Sequence, residues 1–182
     1  MYVCVYCASS NAITERYFTL ARALGTELAQ RGWTLVYGGG SVGLMGEVAR
    51  AVHAAKGKVI GIIPQRLLDL EVGYLESDEL IVTTTMRERK RLMDERADVF
   101  VTLPGGFGTL EELLEILTLK QLGYHSKPIV IVNLDGFYDP LLAQFARIFE
   151  EHFTHDRYRD LYRVVDDLEG ALAVLGEIAQ NA

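Results

Sequence analysis

The 182-residue chain predicts an α/β fold, a three-layer Rossmann-like sandwich around a mainly parallel sheet of about six or seven strands. Three observations carry this reading. Short β-rich runs alternate with amphipathic helical stretches from end to end, which is the pattern of βαβ crossovers. Runs such as Val59-Ile-Gly-Ile-Ile63 and Ile129-Val-Ile-Val132 are apolar on both faces, as strands covered by helices on either side must be. Finally, two runs pass straight into glycine clusters that open helices: Thr34–Tyr37 into Gly38-Gly-Gly-Ser-Val-Gly43, and Val99–Leu103 into Pro104-Gly-Gly-Phe-Gly-Thr-Leu-Glu-Glu112.

Taken in order, a Val- and Tyr-rich strand at 2–7 is followed by a helix over 15–31 that stops at Gly32, then by a strand at 34–37. The helix over 43–56 stops before Gly57 and feeds a strand at 58–63. Residues 64–78 form the longest stretch without clear periodicity, and loops of that length are often functional. A strand at 80–83, a helix over 86–97 and a strand at 99–103 lead to a helix over 109–123, closed by Gly123 after Leu122. A strand at 128–132 precedes Asp139-Pro140, which opens a helix over 140–152. A short strand at 163–165 and a helix over 168–179 complete the pattern. There is no repeat and no low-complexity linker, so residues 1–182 are expected to form a single nucleotide-binding domain.

The formal net charge of −7 argues against a nucleic-acid surface and for a small anionic ligand. Met-Tyr-Val-Cys-Val-Tyr has no basic stretch ahead of an apolar one, and no apolar run approaches a membrane span, so a cytoplasmic protein without membrane partners is expected. Cys4 and Cys7 have C-x-x-C spacing, but residues three apart on a strand point to opposite faces. A core thiol at Cys4 and a loop-facing one at Cys7 are therefore expected rather than a metal or redox pair. His53, His125, His152 and His155 form no ligand pattern, so no metal site is implied.

A strand that ends in glycines and turns into a helix exposes backbone N–H groups at the positive end of the helix dipole, where no Cβ blocks an approaching phosphate. Two such loops, expected on neighbouring strands, imply a phosphorylated ligand between them. The first loop also satisfies G-x-G-x-x-G, but a dinucleotide site needs an acidic residue about 20 positions further on. Ile63-Pro-Gln-Arg66 stands there instead, and no NAD or other cofactor is expected. In the second loop Thr109 and Glu112 fit a capping box, so Glu112 has a purely structural reading beside a catalytic one. A first-turn glutamate is favoured in its ionised form and would act as a base or an electrostatic stabiliser. The basic run Met86-Arg-Glu-Arg-Lys90 opens a helix against its dipole. Such residues call for a local anion, either a phosphate or Glu112 across the sheet edge.

Together, Cys7-Ala-Ser-Ser10, Tyr37-Gly-Gly-Gly-Ser-Val-Gly-Leu-Met-Gly46, Met86-x-x-Arg89-Lys90 and Pro104-Gly-Gly-x-Gly-Thr-x-x-Glu112 resemble, in order and spacing, the LOG ("Lonely Guy") family of cytokinin-activating phosphoribohydrolases. The resemblance covers nearly the whole chain. It implies hydrolysis of the N-glycosidic bond of AMP-like nucleoside 5′-monophosphates, cytokinin riboside 5′-monophosphates included, to free base and ribose 5-phosphate. It also implies a homodimer or an assembly of dimers. Arg89 and Glu112 match the catalytic pair. Ser9, Gly39, Gly40, Glu71, Lys90, Gly106, Phe107, Gly108, Thr109, Leu110, Glu111 and Thr118 match substrate-contacting positions. Relatives are often labelled lysine decarboxylases, but this chain lacks the length and the Schiff-base lysine context of a pyridoxal phosphate enzyme. Where many relatives carry a histidine, this chain has Arg87. The alternative reading is a non-catalytic carrier of a phosphorylated cofactor such as a molybdopterin, which would need the phosphate cradle but no carboxylate at the ribose.

Overall fold

The computed structural model describes residues 1–70 and 72–181. Its strands are β1 (Tyr2–Tyr6), β2 (Thr34–Tyr37), β3 (Lys58–Pro64), β4 (Glu79–Thr83), β5 (Val99–Thr102), β6 (Ile129–Val132) and β7 (Arg163–Val165). They pair in parallel throughout, in the order β4-β3-β2-β1-β5-β6-β7. The helices are α1 (Glu15–Gln30), α2 (Gly43–Ala54), α3 (Gln65–Leu68), α4 (Met86–Arg96), α5 (Phe107–Gln121), α6 (Asp139–Glu150) and α7 (Leu168–Gln180).

Strand alternation divides the core in two. Val3, Val5, Leu35, Val101 and Val130 face a layer built on α1, α2 and α7, with Leu24, Leu28, Val48 and Leu175 buried against them. Cys4, Tyr6, Val36, Phe100 and Ile131 face α4, α5 and α6, which contribute Met93, Leu113, Ile116 and Phe145. Each fully buried branched side chain contributes about 1.5–3 kcal/mol, so both layers are held by the sheet rather than by helix propensity.

The strand order corrects one expectation. The strands carrying the glycine loops are not neighbours, because β1 lies between them. From β1 the chain winds outward through β2, β3 and β4, then crosses back so that β5 lands on the other side of β1. The connections leaving β1 and β5 therefore diverge, α1 to one face and α5 to the other, and open a crevice at the carboxyl edge.

Element ends differ in informative ways. The helix expected from residue 109 begins at Phe107, because Gly106 takes an extended conformation (φ −92°, ψ −157°) and serves as the N-cap. Thr109 is thus the third helical residue and cannot be the N-cap of a capping box. The sequence does hold a working N-cap of that type nearby: the Thr85 hydroxyl accepts from the Glu88 N–H at 3.1 Å, while the Glu88 carboxylate accepts from the Thr84 N–H at 2.9 Å. The aperiodic stretch after β3 contains the one-turn helix α3 and then bridges back to the first glycine loop, Gly40 pairing with Gly73. No described helix is long and apolar enough to cross a membrane.

Candidate active site

The crevice holds a cavity of about 460 Å³ lined by residues from the segments that follow β1, β2, β3, β4 and β5. Cys7 and Ser9 follow β1, and Gly38, Gly40, Val42 and Met45 come from the first glycine loop and α2. Ile63, Leu67, Leu70 and Val72 belong to β3 and the segment after it, while Met86 and Arg89 lie on α4. Gly106, Phe107, Gly108, Thr109 and Glu112 come from the second glycine loop and α5.

The two glycine loops have different fates. At the start of α5 the N–H groups of Phe107, Gly108 and Thr109 meet no backbone or side-chain acceptor among the described residues, and the first helical bond of that turn is Leu110 N–H to the Gly106 carbonyl at 3.0 Å. This is an open anion cradle. Beneath it the Tyr138 hydroxyl donates to the Leu103 carbonyl at 2.7 Å, fixing the chain just before Pro104. The first loop is already spent. Ser41 N–H donates to the Val72 carbonyl at 2.7 Å, the Gly39 carbonyl accepts from Tyr74 N–H at 2.8 Å, Gly43 N–H donates to Asn11 Oδ1 at 2.9 Å and Leu44 N–H to the Ala8 carbonyl at 2.9 Å. The N-terminus of α2 is therefore occupied by the chain itself. A phosphate between two cradles gives way to a phosphate at one, with the first loop as the cavity's back wall.

Arg89 and Glu112 meet across the crevice. The Arg89 side chain reaches both β3 and α5, its Nε donating to the Ile62 carbonyl at 3.1 Å and its Nη1 lying 2.8 Å from Glu112 Oε1. Both residues are buried, at 6% and 7% exposure. Of the two anions that the basic start of α4 could meet, Arg89 takes the carboxylate. Burial pushes the Glu112 carboxyl above its ordinary range, and the charge and hydrogen bond of Arg89 oppose that rise. The dipole that was expected to hold this group ionised acts weakly, because the earlier helix start puts Glu112 beyond the first turn of α5.

The remaining expected positions divide. Ser9, Gly40, Phe107, Gly108 and Thr109 line the cavity with Gly106. Gly39 does not; its φ of +72° turns it towards Ile62 and Ile63. Lys90 points to the far side of α4, where it pairs with Glu111 and Glu115 in a small hollow that shares Glu112 as a wall. Leu110 packs on the core beneath α5. Thr118 donates to the Leu114 carbonyl at 2.7 Å and lies in a groove between α5 and α6, away from the cavity. Glu71 lies outside the described residues. Cys4 and Cys7 fall in opposite core layers; Cys7 is buried and lines the cavity rather than facing a loop, and burial pushes both thiols up. The apolar wall of Met45, Ile63, Leu67, Leu70, Val72 and Met86 was not foreseen. For Leu67, Leu70 and Val72 the sequence signal was the long aperiodic stretch after β3, while Met45 and Met86 lie within the motifs that carry the resemblance.

A family model described as "possible lysine decarboxylase" matches residues 45–175. Cytokinin riboside 5′-monophosphate phosphoribohydrolase LOG5 of Arabidopsis thaliana is 46% identical over 160 residues, covering 88% of this chain and 70% of that protein. The corresponding LOG enzyme of Oryza sativa subsp. japonica is 49% identical over 157 residues, covering 86% of this chain and 65% of that protein. The chain belongs to the LOG family. It shares its fold with the molybdenum cofactor binding protein of the phototrophic bacterium Rippkaea orientalis, at 24% identity and a TM-score of 0.76, covering 98% of this chain and 96% of that one. The decarboxylase description does not fit this LOG-family site. Among the described lining residues there is no lysine to form a Schiff base, and Lys90, next to Arg89 in the chain, is engaged by two glutamates on the other side of α4.

Proposed function

We propose that this chain hydrolyses the N-glycosidic bond of AMP-like nucleoside 5′-monophosphates, including those with an N6-prenyl group, to free base and ribose 5-phosphate. The observation that carries this is a buried carboxylate–guanidinium pair, 2.8 Å apart, in the same cavity as the open amide end of α5. A carrier needs the amides alone. With the 5′-phosphate on the N–H groups of 107–109, the apolar wall receives the base, and the ribose falls between them beside Glu112. Glu112 is the one carboxylate on the described wall. It offsets positive charge as the C1′–N bond lengthens and takes a proton from the water that adds to C1′, while the base leaves with the bonding pair and is protonated. Arg89 fixes the direction of the carboxylate and opposes its desolvation.

The relatives named as phosphoribohydrolases of cytokinin riboside 5′-monophosphates support the substrate class. We further propose one nucleotide-binding domain over residues 1–182, action on free nucleotide rather than nucleic acid in the cytoplasm, and a homodimer or an assembly of dimers as the working form. Incubation with AMP and with N6-isopentenyl-AMP, followed by chromatography for free base and an assay for ribose 5-phosphate, tests the reaction. Equal yields of the two products are expected. Tight binding with intact nucleotide recovered would overturn hydrolysis and favour the carrier.

A further inference from the structure

We infer that Gly38 is a positioning residue for this reaction, its absent side chain being the space that seats the Arg89 guanidinium against Glu112. The inference rests on the hydrolytic reading of the site. Gly38 is not among the residues with positive φ, so its backbone conformation is open to any L-residue and gives no reason for glycine. Space does. A Cβ built there would lie 1.9 Å from Arg89 Nη2 and 3.0 Å from Cζ, with Met45 Sδ at 3.3 Å. The guanidinium has no easy retreat, since Nε is held by the Ile62 carbonyl and Nη1 by Glu112. Three edges of one planar group are thus fixed by β3, α5 and the residue after β2.

A methyl group at position 38 falls on the far end of a long side chain rather than on backbone, so the protein should fold while the guanidinium moves. A shift of that order at a reacting centre costs up to about 100-fold in rate. The charge that Arg89 holds against Glu112 moves with it. Glu112 is also faced by Lys90 of α4, by Glu111 of its own helix, and by Cys4, Tyr6 and Cys7 of β1 and its end. Gly38 touches none of these in the way it touches Arg89, which makes the effect separable.

The test is a cycle of Gly38→Ala, Arg89→Lys and the double variant, read by steady-state hydrolysis of AMP and by ¹³C NMR titration of the Glu112 carboxyl. Lysine has no Nη2, so alanine fits beside it. In the native background Gly38→Ala is expected to lower kcat at least about tenfold with KM changed less than about threefold, and to move the Glu112 titration to higher pH. In the Arg89→Lys background the same substitution should change both by little, under about twofold in rate. Equal losses in the two backgrounds, or an unmoved Glu112 titration, would overturn the seat. If the native protein leaves AMP intact, the hydrolytic reading falls, and the titration still decides whether Gly38 positions Arg89.

Discussion

Glu112 is a carboxylate in a place that disfavours charge, and one guanidinium offsets the burial. Removing either partner of a buried pair leaves the other uncompensated, at about 3–5 kcal/mol. Glu112→Gln should therefore lower the melting temperature, yet lose hydrolysis by at least about 100-fold in protein that is still folded and still binds AMP, because the carboxylate acts mainly in the transition state. Folded protein with native turnover would remove Glu112 from the chemistry. The pH dependence has a definite sign. Burial raises the carboxyl above its ordinary value of 4.5, and the base form is the active one, so kcat/KM should fall as pH is lowered through a midpoint above that value. A limb at or below it would contradict the desolvated site. Both partners were legible in the sequence, since a helix start with more cations than its single glutamate, Glu88, can match and an acidic residue after a glycine loop point at each other. The direction of the Glu112 shift was not legible. It follows from burial of the carboxyl in the crevice, a tertiary fact that local pattern does not reveal, and the start of α5 at Phe107 takes Glu112 out of the first turn, where the dipole would have opposed the rise.

At the scale of elements, the question is what keeps one helix end open while the other closes. The two glycine loops look alike as sequence, and a strand-to-helix turn is all that local pattern specifies. What separates them is tertiary: Asn11, Ala8, Val72 and Tyr74, all distant along the chain, consume the hydrogen-bonding groups of the first loop. The second is held from below instead. Asn133 accepts from the Tyr138 N–H at 2.7 Å and donates to Asp139 at 2.8 Å, and the buried Tyr138 hydroxyl reaches the Leu103 carbonyl. This chain of bonds runs from the end of β6 to the base of the cradle without touching its upper face. Tyr138→Phe deletes one bond of about 1 kcal/mol and leaves a buried carbonyl unpaired. The expected result is a lower melting temperature and an affinity for ribose 5-phosphate reduced about three- to tenfold, with kcat for AMP nearly native, measured by calorimetry and steady-state kinetics. Unchanged affinity would mean that Pro104 and the strand alone hold the cradle.

For the whole molecule, the sequence revealed the layers but not the order of the strands, because hydrophobic pattern fixes which faces are covered and leaves neighbour choice to the crossover after β4. It also overfilled one helix. Leu110, Leu113, Leu114, Ile116, Leu117, Leu119 and Leu122 give α5 more apolar circumference than one sheet covers, and the structure buries only Leu113, Ile116 and Leu117 of them. Leu114 and Leu122 stay exposed, Leu122 at 63% at the far end of α5, and Phe107 at the cavity end of the helix is 93% exposed. The groove that receives Leu114 also holds Thr118, Phe145, Ile148 and Phe149. Thr118 matches a substrate-contacting position yet is separated from the cavity of its own chain, so such a contact has to cross to a second copy. A twofold pairing through α5 would bring two cavities to one interface and cover the apolar excess at the same time. Light scattering at micromolar concentration should give twice the chain mass, and Leu114→Asp should yield monomers with hydrolysis of AMP reduced in parallel. A native protein that is monomeric and fully active would defeat the pairing and leave Thr118 without a part in the reaction.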